Sequence, residues 1–316
     1  MTTLLDALRQ TTQVDCDTLD ANVAHQLGPF VDCTSNQAIA FSEISRPLAG
    51  EPLLYHDALV KDAIGKGRGA LKELQGSATF EEFVVQILMV KLQLLIVPNV
   101  TGYVHIQTNP KLSYSTDGTI SDAHRIVNIF KALAPEFDTK RVCIKIPATW
   151  EGLQACRALE VEGIATLATT MFCMEQATLA ADAQCTYIAP YVNELKVHFE
   201  AGYVDEHKAF DFCREAQTYY INHSFRTQVL AASLTSVDEV MQLAGIQHIT
   251  ISPNLLNGLA STKLSEWDGK LGITFAWRMA FTRSGFGTSE GKIIQAINYF
   301  ADCQEKLEDL VRQYAE

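Results

Sequence analysis

The sequence predicts a single (β/α)8 (TIM) barrel, an α/β fold, with residues 1–316 as one domain. Three observations predict it. Runs such as VCIKI, YIAPY, QVLAA and HITIS are rich in β-branched or large apolar residues and lack polar alternation, as strands buried on both faces do. These runs alternate with longer stretches of helical period, the pattern of parallel β/α units. The first run continues into VDCDTLDAN, which has no glycine. A doubly wound sheet, the competing architecture, usually carries a glycine-rich phosphate loop at that point.

The strands are predicted at Gln13–Asp17, Phe30–Cys33, Tyr103–Gln107, Arg141–Ile146, Gly163–Thr169, Thr186–Pro190, Thr227–Ala232 and His248–Ser252. Helices fill the gaps. Ser121–Leu133 follows a Thr/Ser/Asp-rich start. Thr149–Glu162 puts Trp150, Leu153, Cys156 and Leu159 near one face. Met174–Cys185 is rich in Ala and Gln, and Ser236–Ala244 carries Val237, Val240, Met241 and Leu243. The stretch between the second and third strands is long and holds two extra helices, around His56–Gly67 and Thr79–Leu95. The C-terminal stretch Ser289–Tyr314 reads as one long amphipathic helix, or two.

Composition narrows the function. At 47% hydrophobic and 20% charged residues, the chain can fill a large core and is not of disordered type. Its net charge of −12 comes without any basic run, a poor match for nucleic acid or an anionic membrane. MTTLLDALRQ lacks the features of a signal peptide. The most apolar window, Phe83–Pro98, is short and interrupted by Gln86, Lys91 and Gln93. The eight cysteines form no CxxC pair and no Cys/His cluster, so free thiols in a reducing cytoplasm are expected, with no metal site and no disulfide framework.

In a barrel of this kind function sits at the C-terminal ends of the strands. Polar residues recur there: Asp17, Asn36, Gln107, Lys145, Thr169, Tyr191 and Ser233. Lys145 stands among Val142, Cys143, Ile144 and Ile146, with Pro147 ending the strand. Lysine is among the residues least often buried. Dry surroundings disfavour an ammonium and make a neutral, nucleophilic amine available. Such an amine condenses with a carbonyl compound to an iminium, an electron sink that lets the adjacent C–C bond break or form. The local pattern equally allows a structural ion pair with Asp17 or another acid.

Here a resemblance becomes specific. IKIPATWEGLQACRALEVEGIATLATTMF resembles the transaldolase signature around its Schiff-base lysine. VDCDTLDANV, CTSNQAI, KLSYSTDGTI, IAPYVNEL and LAGIQHITISPNLL match further blocks in order, from about residue 13 to the C-terminal helix. The resemblance implies a (β/α)8 barrel and a mechanism without metal or cofactor. It implies that Lys145 forms the Schiff base, Asp17 is the acid/base of C–C cleavage, Asn36 holds donor hydroxyls and Thr169 helps to position a water. Ser233 is a further candidate for binding substrate. For Asn36 a turn role, and for Thr169 a plain strand role, remain open alternatives.

The chain departs from the transaldolase pattern at five positions. Gln107 replaces the catalytic glutamate, and an amide can orient a water but cannot take its proton. Tyr191 replaces a phenylalanine. Both exchanges resemble the related fructose-6-phosphate aldolases, where a Gln and a Tyr share the handling of water; loss of activity, and a core role for the tyrosine, are the alternatives. Glu194 and Thr235 stand where the resemblance places two phosphate-clamping arginines, and Ala189 replaces a serine. Each lost charged contact costs about 1.5–3 kcal/mol.

The expectation is therefore an enzyme that makes or breaks a C–C bond through Lys145, on a small carbonyl substrate lacking the usual sugar phosphate. An amine-bearing substrate attracted by Glu194 would be one such case; a Glu194 pointing into solvent is the alternative. Three other readings stay open: a conventional transaldolase moving a dihydroxyacetone unit between sugar phosphates, an imine-based biosynthetic condensation with an amine partner, and a catalytically silent ligand- or partner-binding barrel. The expected setting is cytoplasmic, with a homodimer as a possible assembly.

Overall fold

A computed structural model describes residues 2–50 and 54–269. Eight parallel strands close a barrel in sequence order: β1 (Gln13–Asp17), β2 (Cys33–Thr34), β3 (Val104–Gln107), β4 (Val142–Pro147), β5 (Ala165–Met171), β6 (Tyr187–Pro190), β7 (Gln228–Ala231) and β8 (His248–Ile251). β8 pairs back onto β1, Gln13 opposite His248 and Cys16 opposite Ile251. The helices are α1 (Leu4–Arg9), α2 (Ala21–Leu27), α3 (Gln37–Ile44), α4 (Asp57–Arg68), α5 (Phe80–Ile96), α6 (Thr116–Leu133), α7 (Trp150–Val161), α8 (Met174–Asp182), α9 (Phe210–Asn222), α10 (Val237–Gln242) and α11 (Pro253–Ser261). The expected barrel and the expected helices between β2 and β3 are present. The predicted C-terminal helix lies outside the described residues.

Several expectations change in detail. β2 covers only two residues, because Phe30 leaves the ladder to form an isolated bridge with Val100. α6 begins at Thr116 rather than Ser121, since the Ser115 side chain caps it by accepting from the Gly118 amide at 3.2 Å. Trp150 opens α7 but is 65% exposed; the buried face is Leu153, Cys156 and Leu159. Helices α1, α2, α3, α9 and α11 add to those predicted. Among the described residues no helix is long and apolar enough to cross a membrane, and the seven described cysteines are all free.

α5 shows how the extra helices are anchored. Thr79 and Glu82 form a reciprocal capping box at 3.0 and 3.2 Å, a feature that contributes about 1 kcal/mol. Phe83, Ile87, Val90, Leu92 and Ile96 are fully buried, each contributing about 1.5–3 kcal/mol through removal of apolar surface from water. Thr79→Ala would remove the cap without touching that face.

The barrel interior divides into two halves. On the β4–β7 side, alternate residues meet in an apolar cluster of Cys143, Ala165, Leu167, Tyr187, Ala189, Tyr191, Leu230 and Ala232. On the β8–β3 side the interior is polar. Asp15 Oδ2 lies 3.0 Å from His248 Nδ1, and Asp15 Oδ1 accepts from the Asp32 amide at 2.9 Å. Asp32 Oδ2 lies 2.8 Å from His105 Nε2, and its Oδ1 accepts from the Tyr103 amide at 2.7 Å. The Tyr187 ring bridges the halves, with its centroid 5.4 Å from that of His105 and 5.0 Å from that of His248.

Gly102 makes this network possible: a Cβ there would lie 2.1 Å from Asp32 Oδ1. Burial pushes the Asp15 carboxyl up to about 6, against the pull of His248. For Asp32, burial is outweighed by the His105 bond, which holds it below its ordinary value. For His248, burial would depress basicity, but the Asp15 bond raises it.

Candidate active site

A cavity of about 520 Å³ opens at the C-terminal end of the barrel. Five residues singled out from the sequence line it: Asp17, Asn36, Lys145, Tyr191 and Ser233. Lys145 lies on β4, opposite Gln107 of β3 and Leu167 of β5. It is 3% exposed. No hydrogen bond or ion pair engages its amine among the described residues, so the structural pairing with Asp17 is absent.

The end of β4 is held in place by a tight approach. Thr149 caps α7 by accepting from the Gly152 amide at 2.9 Å. A Cβ on Gly152 would lie 2.1 Å from the Pro147 carbonyl oxygen, so only glycine lets the helix start this close to the lysine's strand.

Asp17 ends β1. Its Oδ1 accepts from Thr34 Oγ1 at 2.6 Å, and Thr34 Oγ1 lies 2.6 Å from Thr250 Oγ1 on β8. A hydroxyl chain across β8, β1 and β2 therefore fixes one carboxylate oxygen, and the other, on a residue that lines the cavity, has no partner among the described residues. Asn36 is both a cap and a wall. Its Oδ1 accepts from the Ile39 amide at 3.0 Å at the start of α3, which leaves its Nδ2 donors available.

Thr169 sits inside the barrel on β5, opposite Pro147 of β4. It is buried, and its Oγ1 has no hydrogen-bond partner among the described residues, which is uncommon for a buried hydroxyl. The register between β5 and β6 shifts between Ala168 and Met171, and Thr170 takes a left-handed backbone, φ 57°. Such irregularities re-aim side chains at the ends of strands. Tyr191 is buried, bridges Ala232 and meets the Phe172 ring edge-on at a centroid distance of 5.9 Å.

The other sequence candidates are not among the residues that line the cavity. Gln107 is half-buried beside Lys145 in register. Ala189 is buried in the apolar cluster below Tyr191. Glu194 is exposed, with its amide donating to Asp205 Oδ2 at 2.7 Å, and it faces Tyr203, whose hydroxyl it pushes up to about 12. Thr235 is tied to Glu239, its amide donating at 2.8 Å and its hydroxyl at 2.9 Å. Glu239 also takes Asn193 Nδ2 at 2.9 Å and the ammonium of Lys208. For Glu239, burial is outweighed by these donors, which lower its pKa. The donors around Thr235 thus already serve an internal carboxylate.

Sequence reasoning missed Asp20, Glu43 and His198, which also line the cavity. Asp20 and Glu43 are bridged by Arg46, at 2.6 and 2.9 Å, and Glu43 also meets His56 at 2.6 Å. Among the described residues this wall is acidic, and Arg46 is already paired with both of its carboxylates.

Asp15, Asp32 and His248 place potential ligating atoms within 4.8 Å of one another. Each carboxylate oxygen there already accepts or faces a hydrogen bond, so the trio is a saturated network rather than an open metal centre.

The profile of the transaldolase/fructose-6-phosphate aldolase family matches residues 14–316. The chain belongs to this family. It is 32% identical over 301 residues to a transaldolase of Rhizobium leguminosarum bv. trifolii, covering 88% of each chain. It is 29% identical over 343 residues to a probable transaldolase of Dictyostelium discoideum, covering 99% of each. It is 30% identical over 327 residues to transaldolase B of Pasteurella multocida, covering 98% of each. Family membership places the protein among aldolase-type transferases.

Proposed function

We propose that the protein makes or breaks a C–C bond through a Schiff base on Lys145, with a ketose or small ketone that carries no phosphate. One observation carries the reading: a buried lysine, whose amine has no counter-ion among the described residues, shares a cavity with the carboxylate of Asp17.

The steps follow from the residues present. The Lys145 amine attacks the substrate carbonyl carbon, and the resulting carbinolamine loses water to give an iminium. The second oxygen of Asp17 accepts the proton of the hydroxyl on the carbon beyond the breaking bond. As that O–H becomes a carbonyl, the C–C bond cleaves, its electron pair passes into the iminium, and an aldehyde leaves behind an enamine. Addition of the enamine to another aldehyde, with Asp17 returning the proton, is the transfer reaction. Protonation of the enamine carbon followed by hydrolysis is the free aldolase reaction.

Gln107 and Tyr191 can orient the water of iminium formation and hydrolysis, and the unpartnered Thr169 hydroxyl supplies a further anchor for it. Asn36 Nδ2 and Ser233, both on residues that line the cavity, can bond substrate hydroxyls.

The charge of the cavity supports an unphosphorylated substrate. Among its described lining residues, Asp17, Asp20 and Glu43 carry carboxylates, and Lys145 and His198 alone can carry positive charge. No arginine is among the described residues that line it. The named transaldolase relatives favour a second reading, in which a dihydroxyacetone unit passes between sugar phosphates.

Borohydride reduction with a panel of ketones, followed by mass spectrometry, tests the first claim. The adduct is expected on the peptide that holds Lys145. Failure to trap any ketone there removes the Schiff base from the account. Saturable, tight turnover of fructose 6-phosphate would decide for the second reading.

A further inference from the structure

The segment after β6 folds over the barrel mouth. Tyr191, Leu195 and His198 from this segment all line the cavity, and a short 3-10 helix, Leu195–His198, ends on the histidine. His198 Nε2 lies 2.9 Å from Ser233 Oγ, just past β7. Ser233 holds a left-handed backbone, φ 62°, a conformation that non-glycine residues rarely adopt. Two bonds fix it there: its carbonyl accepts from the Asn193 amide at 3.1 Å and from Asn193 Nδ2 at 2.8 Å. A serine in this backbone conformation, held by a buried asparagine and carrying an imidazole, is a built feature of the outer cavity.

From this placement we infer that His198, seated on Ser233, is a specificity-determining residue that hydrogen-bonds the hydroxyl tail of the substrate. The inference deepens the Schiff-base reading and rests on it. Lys145 reacts with the carbonyl end, while Asp17 and Asn36 serve the hydroxyls beside it. His198 and Ser233 stand on the opposite wall, formed by the β6 and β7 crossovers, where a longer substrate's far end must lie. An imidazole can donate to or accept from a sugar hydroxyl according to its tautomer, and the serine hydroxyl can do the same. A phosphate dianion at this end would find one imidazole in a cavity that also holds Asp17, Asp20 and Glu43. The substrate class is thus a polyhydroxy ketone with an unphosphorylated tail.

Borohydride trapping on Lys145 separates the two ends of the substrate. Fructose carries the tail and dihydroxyacetone does not. The readout is the half-saturating concentration of fructose divided by that of dihydroxyacetone, in the wild type, His198→Ala and His198→Gln. Loss of one hydrogen bond to the tail should raise this ratio about tenfold in His198→Ala. The amide of His198→Gln, reaching to nearly the same point as Nε2, should return it to within about threefold of wild type.

A ratio in His198→Ala within about twofold of wild type overturns the assignment. So does a change that His198→Gln leaves fully in place, which would mark a merely structural role. Absence of any adduct in the wild type overturns the Schiff-base reading itself, and this inference with it; that result is distinguishable because it appears before any variant is made.

Discussion

The floor and the mouth of the barrel handle buried polar groups in opposite ways. At the floor, Asp15, Asp32, His105 and His248 are almost wholly buried, and every carboxylate oxygen has a partner; His105 Nδ1 has none among the described residues. At the mouth, Lys145 is a buried residue whose amine has no partner among the described residues, the buried Thr169 hydroxyl has none there either, and Asn36 uses only half of its amide. An unpartnered buried polar group costs about 1–3 kcal/mol. A fold that satisfies its polar floor but leaves its polar mouth open bears that cost where a substrate would supply the missing partners. The same strands build both regions, two residues apart: Asp15 and Asp17 on β1, His105 and Gln107 on β3, His248 and Thr250 on β8.

If that contrast is functional, substitution at the two levels should separate activity from stability. Lys145→Met should lower kcat by at least about 10³-fold by removing the nucleophile. It should also raise the unfolding free energy by about 1 kcal/mol, since it replaces an amine with no partner among the described residues, on a buried side chain, by an apolar chain of similar length. Steady-state turnover and urea denaturation of the same preparation check both. A variant that is inactive but less stable would contradict the claim that the amine lacks a structural partner.

Asp17→Asn keeps an acceptor for Thr34 Oγ1 and removes the base, so kcat should fall by about 10²–10⁴-fold. The melting temperature should stay close to wild type.

At the floor the expectation reverses. Asp32→Ala strands the Tyr103 amide and one face of His105, and should cost about 3–5 kcal/mol of stability. Lys145 trapping by borohydride should persist in whatever fraction remains folded. Loss of trapping in the folded fraction would show that the floor network reaches the chemistry.

The sequence made the mouth legible far better than the floor. β1 is as predicted, and most other strands differ by one or two residues, because strands buried on both faces leave unbroken apolar runs. β2 was overlong in prediction because FVDC is apolar enough for a strand, while its pairing depends on a neighbour some seventy positions away. α9, FDFCREAQTYYIN, mixes charged and aromatic residues and has no side-chain cap, so neither its period nor its start stood out. His198 carried no local signal at all. Its role becomes visible only when the β6 crossover meets the end of β7, a contact between residues far apart in sequence. Glu194, which reads as an electrostatic lure, occupies the same crossover, but its side chain meets Tyr203 while its amide donates to Asp205. The floor residues did carry a signal, the strand period of two counted back from each mouth residue. A buried Asp at that offset reads from sequence only as a polar interruption of a strand.

The smallest expected effect is on pH dependence, and it isolates the floor. Asp15 titrates near 6 in the folded protein, against an ordinary value of 3.8. Between these values the folded state binds more protons than the unfolded chain, so stability falls as pH rises. The contribution is fully present below pH 3.8 and gone above about 6. His248, also raised, adds a second decline above its ordinary 6.5. Asp32, held low, acts in the opposite sense, its contribution lost only as pH falls below its ordinary 3.8. Asp15→Asn deletes the first decline. Its stability relative to wild type should therefore improve by about 1–3 kcal/mol between pH 4 and pH 6, and loss of the bond that raises His248 should extend the gain above pH 6.5. Urea unfolding of both proteins at pH 4, 5, 6 and 7 measures it. A difference that moves the other way across this window would mean that Asp15 is ionised in the fold, and that the His248 pair, rather than burial, governs the floor.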